Sequence, residues 1–251
     1  MTPRPDPLTR FYPESAAGGF SRNDGTVAFY QRVQALLRPD SVVIDFGAGR
    51  GQFLEDPVPM RRDLQLLRAR AAEVIGLDLD PAVLENPALT SAHIIESGSP
   101  LPVADESADL VVSDWTFEHV TDPFWLGDEL YRVLRPGGWI CARTPNKWGA
   151  TGIGGRIIPN RLHHRALAIL QPAKNTADTF PTAYRLNTAR ALYTVFSVER
   201  FSHHSYRDES QPTYAANSTV AWRASMALSA ILPNRMASNW LVFLRKKGKS
   251  S

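Results

Sequence analysis

Residues 41–51, Ser-Val-Val-Ile-Asp-Phe-Gly-Ala-Gly-Arg-Gly, constrain the fold more than any other part of the sequence. The first half is a compact apolar run, typical of a strand that is buried on both faces of a sheet. The second half is a glycine-rich turn, which lets the chain bend tightly and lets a ligand lie against bare backbone. Open α/β sheets bind nucleotides at the carboxyl end of the first strand. We therefore expect the cofactor-binding residues to include Asp45, Phe46, Gly47, Ala48, Gly49 and Gly51.

The rest of the chain alternates between strand-like and helix-like patterns. Apolar runs predict further strands at 73–80, 93–97, 108–114, 138–144 and 239–246, and an alternating pattern predicts another at 195–206. Helical spacing predicts helices at 26–38, 124–134, 187–194 and 215–231. Strands that alternate with helices indicate an α/β fold with a mostly parallel sheet and right-handed crossovers.

The length of 251 residues fits a single α/β domain over 1–251 with insertions. Residues 1–25 are rich in Pro, Gly and Ser and indicate an irregular N-terminal arm. Residues 145–186 break the strand–helix rhythm with prolines and a basic cluster, and we interpret them as a lid or substrate region. Residues 207–238 form a second predicted insertion, between two late strands.

Charge and cysteine content narrow the partners and the compartment. Twenty-eight basic and 25 acidic residues nearly cancel, so we expect no nucleic-acid partner. Cys141 is the one cysteine, which favours a reducing, cytoplasmic location. No apolar run is long enough to predict a transmembrane segment, and no metal-ligand spacing appears. The basic tail at 245–249 leaves a peripheral membrane contact open, and the oligomeric state is not predicted.

Two details of the glycine loop distinguish between ligand classes. A dinucleotide-binding fingerprint would need a third glycine where this chain has Gln52. Instead Asp45 lies two residues before Gly47, and the resulting D-x-G-x-G-x-G pattern resembles motif I of class I S-adenosylmethionine (SAM)-dependent methyltransferases. A carboxylate there would repel a pyrophosphate, whereas SAM carries an ammonium and a sulfonium.

Three later stretches strengthen this resemblance, and they follow in the family order between about residues 41 and 146. Residues 101–113 resemble the LPF-x-D-x-S-F-D-L-V stretch, 117–123 resemble LEHV-x-DP, and 129–138 resemble E-x-x-R-V-L-K-P-G-G. The resemblance is to the small-molecule, type 11 methyltransferases. It implies a Rossmann-like three-layer sandwich with a seven-stranded sheet in the order 3-2-1-4-5-7-6, the last strand antiparallel. It also implies SAM as the methyl donor and S-adenosylhomocysteine as its product.

The resemblance suggests roles for further residues. Asp78, at the end of the second strand, would accept the ribose hydroxyls, with Leu79 beside it and Asp80 as a helix cap. Ser97 and Gly98 would serve the adenine ring, although the family usually has an aspartate in this region. Asp114 would meet the SAM ammonium or the acceptor, and Trp115 would pack beside the methyl donor.

The acceptor is less constrained. His119 is the candidate catalytic base if the acceptor is a hydroxyl, and orientation of its loop is the alternative. Candidate substrate residues are Asn146, His163, His164, Tyr184 and Arg185. The basic stretch at 60–64 could reach the active site or a partner. We expect O-methylation of a small-molecule, saccharide or lipid-linked acceptor. The open alternatives are a hydrophobic small-molecule acceptor and a SAM-binding module without catalysis.

Overall fold

The computed structural model describes residues 7–149, 181–212 and 218–248. These residues contain one mixed sheet, whose strands pair in the order β3-β2-β1-β4-β5-β8-β6, with β7 also paired to β8. Strands β1 to β5 are parallel, and β8 is antiparallel to β5, β6 and β7. The predicted Rossmann-like order is confirmed, with β6 and β7 together in the place of the predicted sixth strand. The strands are β1 Val42–Phe46, β2 Glu73–Asp78, β3 Ser91–Ile94, β4 Ala108–Asp114, β5 Leu134–Pro145, β6 Phe201–His203, β7 Tyr206–Asp208 and β8 Asn239–Lys246.

The helices pack on both faces of this sheet and enclose two apolar clusters. One cluster joins Phe117, Leu126 and Leu130 to one face, and the other joins Phe29 and Val33 to the opposite face. Side-chain caps define where the long helices begin, as when the Asp24 carboxylate accepts from the two backbone N–H groups that follow Gly25. The α-helices are α1 Pro7–Phe11, α2 Gly25–Leu36, α3 Pro59–Gln65, α4 Pro123–Val133, α5 Ala189–Val195 and α6 Thr219–Ile231.

The predicted strand at 195–206 is wrong in its first half. The chain turns inward after α5, where the buried Phe196 stacks on Phe117 and meets the buried Phe201 edge-on. The strand pairing that follows is divided into β6 and β7, because the backbone N–H of Phe243 bonds to the Ser205 side chain in place of a ladder carbonyl. Apolar alternation alone did not distinguish this packed turn from an extended strand. The strand predicted at 93–97 also differs, since β3 begins and ends earlier.

The N-terminal arm is more ordered than its composition indicates. Besides α1, residues Pro13–Ala16 form a 3-10 turn, and Tyr12 is buried. Phe11 stacks on Trp222 of α6 with ring centroids 5.7 Å apart, and Tyr12 meets the same indole edge-on. The arm and the second insertion therefore share a small core of their own.

The ends of the second insertion lie at one edge of the sheet. β7 runs in the same direction as β1 to β5, and β8 runs against them. The segment between Asp208 and Asn239 therefore leaves and re-enters the sheet at the carboxyl ends of the parallel strands. The loops after β1, β2 and β4, which carry the predicted site, lie at this same edge.

Candidate cofactor site

The glycine loop after β1 adopts a conformation that only glycine accepts easily. Gly47, Gly49 and Gly51 have φ values of 82°, 51° and 77°. A side chain at Gly47 would collide with Thr116, and one at Gly51 would collide with Asn86. A side chain at Gly49, in contrast, would meet no protein atom within 4 Å. The middle of the loop thus presents bare backbone to open space.

Two polar side chains hold this loop in place. The Asp78 carboxylate accepts from the backbone N–H of Gly49 at 2.8 Å, and its other oxygen accepts from the N–H of Asp80 at 2.9 Å. The buried amide of Asn86 donates to the carbonyl oxygens of Ala48 and Gly49, both at 3.1 Å. The end of β2 and the turn behind it therefore hold the end of β1. Asp80 also caps that turn, Pro81–Glu85, as predicted.

Carboxylates from three neighbouring strand ends meet beside the loop. Asp45 lies one residue before the end of β1, opposite Gly76 of β2 and Val112 of β4. Burial, followed by the negative charges of Asp114 and Asp78, raises the pKa of Asp45 to about 7. Above about pH 7, where Asp45 is ionised, Asp45 and Asp78 therefore give the site a negative charge. Such a charge suits a cationic ligand.

Asp114 is paired with a buried arginine. Arg143 lies opposite Asp114 in the β4–β5 register, and its Nε and Nη2 atoms donate to the two carboxylate oxygens, each at 2.7 Å. The Nη1 of Arg143 donates to Thr26 at the start of α2. Each oxygen of Asp114 accepts one bond from Arg143, which positions the end of β4, and the contact of Asp114 with SAM or the acceptor stays a prediction.

The other predicted cofactor residues lie at the same edge. Trp115 follows Asp114 with a positive φ of 57°, a strained conformation for an aromatic residue, and its indole is 38% exposed. Leu79 is exposed directly after Asp78. Ser97 and Gly98 form an exposed turn after β3, where a side chain at Gly98 would also meet nothing within 4 Å. Phe46, by contrast, is buried in the core below the loop.

His119 lies in the loop after β4 with a defined ring orientation. Its Nδ1 is 2.9 Å from the carbonyl oxygen of Pro181. A carbonyl oxygen only accepts, so Nδ1 carries the proton and the lone pair of the neutral ring is on Nε2. Two predicted substrate residues adjoin this loop: the N–H of Tyr184 donates to the Glu118 carbonyl, and Arg185 donates to the Thr121 carbonyl.

Asn146 does not fit the predicted role in substrate binding. It is 2% exposed, and its side-chain amide donates to the carbonyl oxygens of Arg235 and Ala237. Its side-chain oxygen accepts from the N–H of Trp148. Asn146 therefore fastens the end of β5 to the segment before β8. His163 and His164 lie outside the described residues.

The basic stretch in the first crossover also has a structural explanation. Arg61 makes a bidentate ion pair with Asp56 and a third bond to the capping residue Asp24. Arg62 donates to the backbone carbonyl of Asp56. Arg61 thus binds the crossover to the start of α2, and Arg62 binds within the crossover, so both guanidinium groups have structural partners.

Several residues of this site were not predicted from the sequence. Asn86, Thr116 and Arg143 lie outside any spacing with a known chemical meaning. Glu118 lies within the 117–123 motif but had no predicted role, and its buried carboxylate accepts from Thr144. The E-x-x-R motif is structural as well, because Arg132 pairs with Glu129 and donates to the carbonyls of Leu101 and Val103.

Some alternative chemistries find no support in the ranges that the structure describes. No group of three or more metal-binding side chains occurs there. Cys141 is fully buried, and burial raises the pKa of its thiol well above the usual value, as expected of a buried apolar residue. No helix in those ranges is long and apolar enough to cross a membrane.

Comparison with known proteins agrees with this site. Residues 44–142 match the family model of a methyltransferase domain. A Mycolicibacterium smegmatis protein described as a probable S-adenosylmethionine-dependent methyltransferase is 39% identical over 129 residues, which cover 50% of this chain and 46% of that protein. A Mycobacterium sp. (strain JLS) protein described as an uncharacterized methyltransferase is 36% identical over 99 residues, 38% of this chain. The chain spans 35% of the length of that relative.

Solved structures show the same fold over a longer range. The Haloferax volcanii methyltransferase complex with the Trm112 activator has a chain that matches with a TM-score of 0.56 and 17% identity, over 90% of this chain and 91% of that one. The sheet order, the loop geometry and the family match agree with one another. Residues 44–142 therefore match the methyltransferase domain family, and the sheet around them has the fold of a class I SAM-dependent methyltransferase.

Proposed function

We propose that this chain binds SAM along the 47–51 loop and transfers its methyl group to a small-molecule, saccharide or lipid-linked acceptor. The observation that carries the proposal is the bare backbone of Gly49, which faces open space beside the carboxylates of Asp45 and Asp78. A phosphate-bearing ligand would be repelled by these charges, whereas the SAM cation would be attracted.

The residues at this edge fit the parts of SAM. Each oxygen of Asp78 accepts one backbone N–H and keeps a further acceptor position, which suits the two ribose hydroxyls. The exposed Leu79 offers an apolar surface to the adenine ring, and the open turn at Ser97 and Gly98 offers backbone groups to its edge. Asp45 would lie nearest to the cationic part.

Bound SAM supplies a methyl group that its sulfonium already activates. The protein therefore has to align the acceptor and exclude water. Trp115, held above the end of β4 by its N–H bond to the Arg143 carbonyl, would form one wall of the reaction site. His119 would accept the proton of an acceptor hydroxyl at Nε2, because the Pro181 carbonyl fixes its tautomer.

The same histidine favours O-methylation over N- or C-methylation in this proposal. A hydroxyl loses a proton on methylation, and a base with an oriented ring assists that loss. Tyr184 and Arg185 adjoin the histidine loop and are the described candidates for acceptor binding.

A cytoplasmic location remains a prediction from the cysteine content.

Binding of the cofactor can be tested with two matched glycine variants. Gly49→Ala should weaken S-adenosylhomocysteine binding by about tenfold to a hundredfold, because the new methyl group would occupy ligand space and cost about 1–3 kcal/mol. Gly137→Ala is the control, because its φ of 83° gives similar backbone strain. The added methyl group would lie an ordinary 3.6 Å from the Arg245 side chain, and Gly137 lies at the opposite edge of the sheet. Titration calorimetry and thermal unfolding measure both effects.

We expect both variants to lose about 1–2 kcal/mol of stability from the left-handed backbone. Only Gly49→Ala should lose affinity. No binding of SAM or S-adenosylhomocysteine by the intact protein would refute the proposal. Equal affinities for Gly49→Ala and the intact protein would show that the ligand does not bind along this loop.

The role of His119 has its own test, which requires an acceptor found by screening with labelled SAM. His119→Ala should lower kcat by about a hundredfold or more, with SAM affinity nearly unchanged. His119→Gln keeps a hydrogen-bonding side chain and should be equally slow if proton transfer matters. If His119→Gln keeps normal turnover with an unaltered pH profile, the histidine only orients its loop.

A further inference from the structure

An apolar stripe runs along the solvent side of α6. Val220, Leu228 and Ile231 are 75%, 45% and 80% exposed. Ala224 and Ala227 are exposed on the same side, at the spacing of one helical face. We call these five residues the α6 stripe. Few single helices of a globular protein turn their apolar side to solvent in this way.

The opposite side of α6 packs against the rest of the protein. Trp222, the buried residue of the helix, packs on Phe11 and Tyr12 of the N-terminal arm. Ser229 donates to the Glu209 carboxylate, which also binds Ser238. The helix is thus fixed to the protein by one face, and the α6 stripe is presented outward.

The charged side chains of α6 and of the turn that follows it are all basic. Arg223 lies within the exposed face of α6, and Arg235 follows in the exposed turn after it, while residues 218–238 contain no acidic side chain. The nearby Glu209 points inward to the two serines. Trp148, 55% exposed, adjoins the same segment because Asn146 bonds to both. Apolar, cationic and aromatic side chains are therefore combined on one surface.

We propose that the α6 stripe docks on an anionic membrane surface. Helices that lie in the membrane interface bury an apolar face and place basic residues near anionic headgroups, and tryptophan is enriched at that depth. The helix also lies at the edge of the sheet that carries the 47–51 loop, because its segment leaves β7 and returns to β8 there. Docking would turn this edge toward the bilayer.

Vesicle co-sedimentation tests the proposal without any need for SAM or an acceptor. The intact protein should bind vesicles that contain about a third of phosphatidylglycerol in phosphatidylcholine more tightly than pure phosphatidylcholine vesicles, and added salt should weaken the binding. Leu228→Glu with Ile231→Glu should reduce the partition coefficient by about tenfold or more, since two apolar side chains are lost and two charges are repelled.

The control carries the same charge change on other surfaces. Tyr193→Glu with Val198→Glu replaces two residues of comparable exposure, 52% and 49%, in the segment that leads to the start of β6 at the opposite edge of the sheet. It should bind nearly as the intact protein does, and thermal unfolding verifies that both double variants fold. Failure of the intact protein to bind the anionic vesicles would overturn the proposal, as would an equal loss in the control. A dimer in sedimentation velocity that dissociates in the α6 variant would assign the stripe to a second copy of the chain instead.

Discussion

Replacing Asp45 with asparagine should weaken SAM binding by about tenfold to a hundredfold and, above neutral pH, make the free protein more stable. Both effects arise from one charge. The ionised carboxylate attracts the cation of SAM, and a neutral amide of the same shape does not. In the free protein the same ionised carboxylate is unfavourable, because it lies between Asp78 and Asp114 and is partly desolvated.

The sign of the stability effect follows from the two pKa values. The pKa of Asp45 is about 7 in the folded protein, against the ordinary aspartate value of 3.8, which we take for the unfolded chain. The folded state therefore holds the proton more tightly, and stability is lost as the pH rises from about 4 through about 7. A pKa difference of one unit corresponds to about 1.4 kcal/mol. Because water screens the charge of this partly buried side chain, we expect the total loss of stability to be about 2 kcal/mol.

Thermal or urea unfolding at pH 5 and pH 8 measures this effect. Asp45→Asn should gain stability at pH 8 and gain little at pH 5, while Asp40→Asn, on a highly exposed aspartate, should change little at either pH. Affinity gives a second readout: SAM binding by the intact protein should weaken as the pH falls below about 7. A variant that is destabilised at pH 8 and binds SAM normally would contradict the assignment of Asp45.

Removing the Arg143 side chain should have the largest effect on stability. Arg143→Ala leaves the Asp114 carboxylate partly buried without its guanidinium partner, and loss of one member of such a pair costs about 3–5 kcal/mol. The variant also loses the bond to Thr26 that joins β5 to the start of α2. Without the guanidinium, the negative charge at Asp114 should raise the pKa of Asp45 further.

Arg135→Ala is the matched control in urea unfolding. Arg135 also pairs with an aspartate, Asp109, but its side chain is 43% exposed, so its loss should cost about 1 kcal/mol or less. A double variant, Asp114→Leu with Arg143→Met, removes both charges and should recover much of the stability that Arg143→Ala loses. If the double variant is no more stable than the single one, the loss is due to packing and not to an unpaired charge.

The central strands of the sheet could be predicted closely from the sequence. Strands β1, β2, β4 and β8 are continuous apolar runs, and each is bounded by a glycine, proline or charged residue that ends it. The cofactor residues Gly47, Gly49 and Asp78 belong to the same local pattern, because a loop that must carry bare backbone needs glycine at fixed positions. These predictions therefore depended only on residue types at neighbouring positions in the sequence.

The remaining features depend on contacts between distant parts of the chain. Arg143 lies inside an apolar strand, and only the β4–β5 register shows that its partner is Asp114. Asn146 follows a proline at a strand end, as a ligand-binding residue often does, yet its partners are backbone carbonyls about 90 residues later. The arm at 1–25 has a disordered-looking composition, and the indole of Trp222 that orders it is more than 200 residues away.

The way in which the second insertion joins the sheet has a consequence for how such a protein can diversify. Both junctions lie at one edge, and the pairing of β7 with β8 and the bonds of Asn146 hold them there. The methyltransferase family match ends at residue 142, before this segment begins. We expect changes of length within the segment from 209 to 238 to leave the loops that hold the cofactor in place, provided that Trp222 keeps its contacts with Phe11 and Tyr12 of the N-terminal arm.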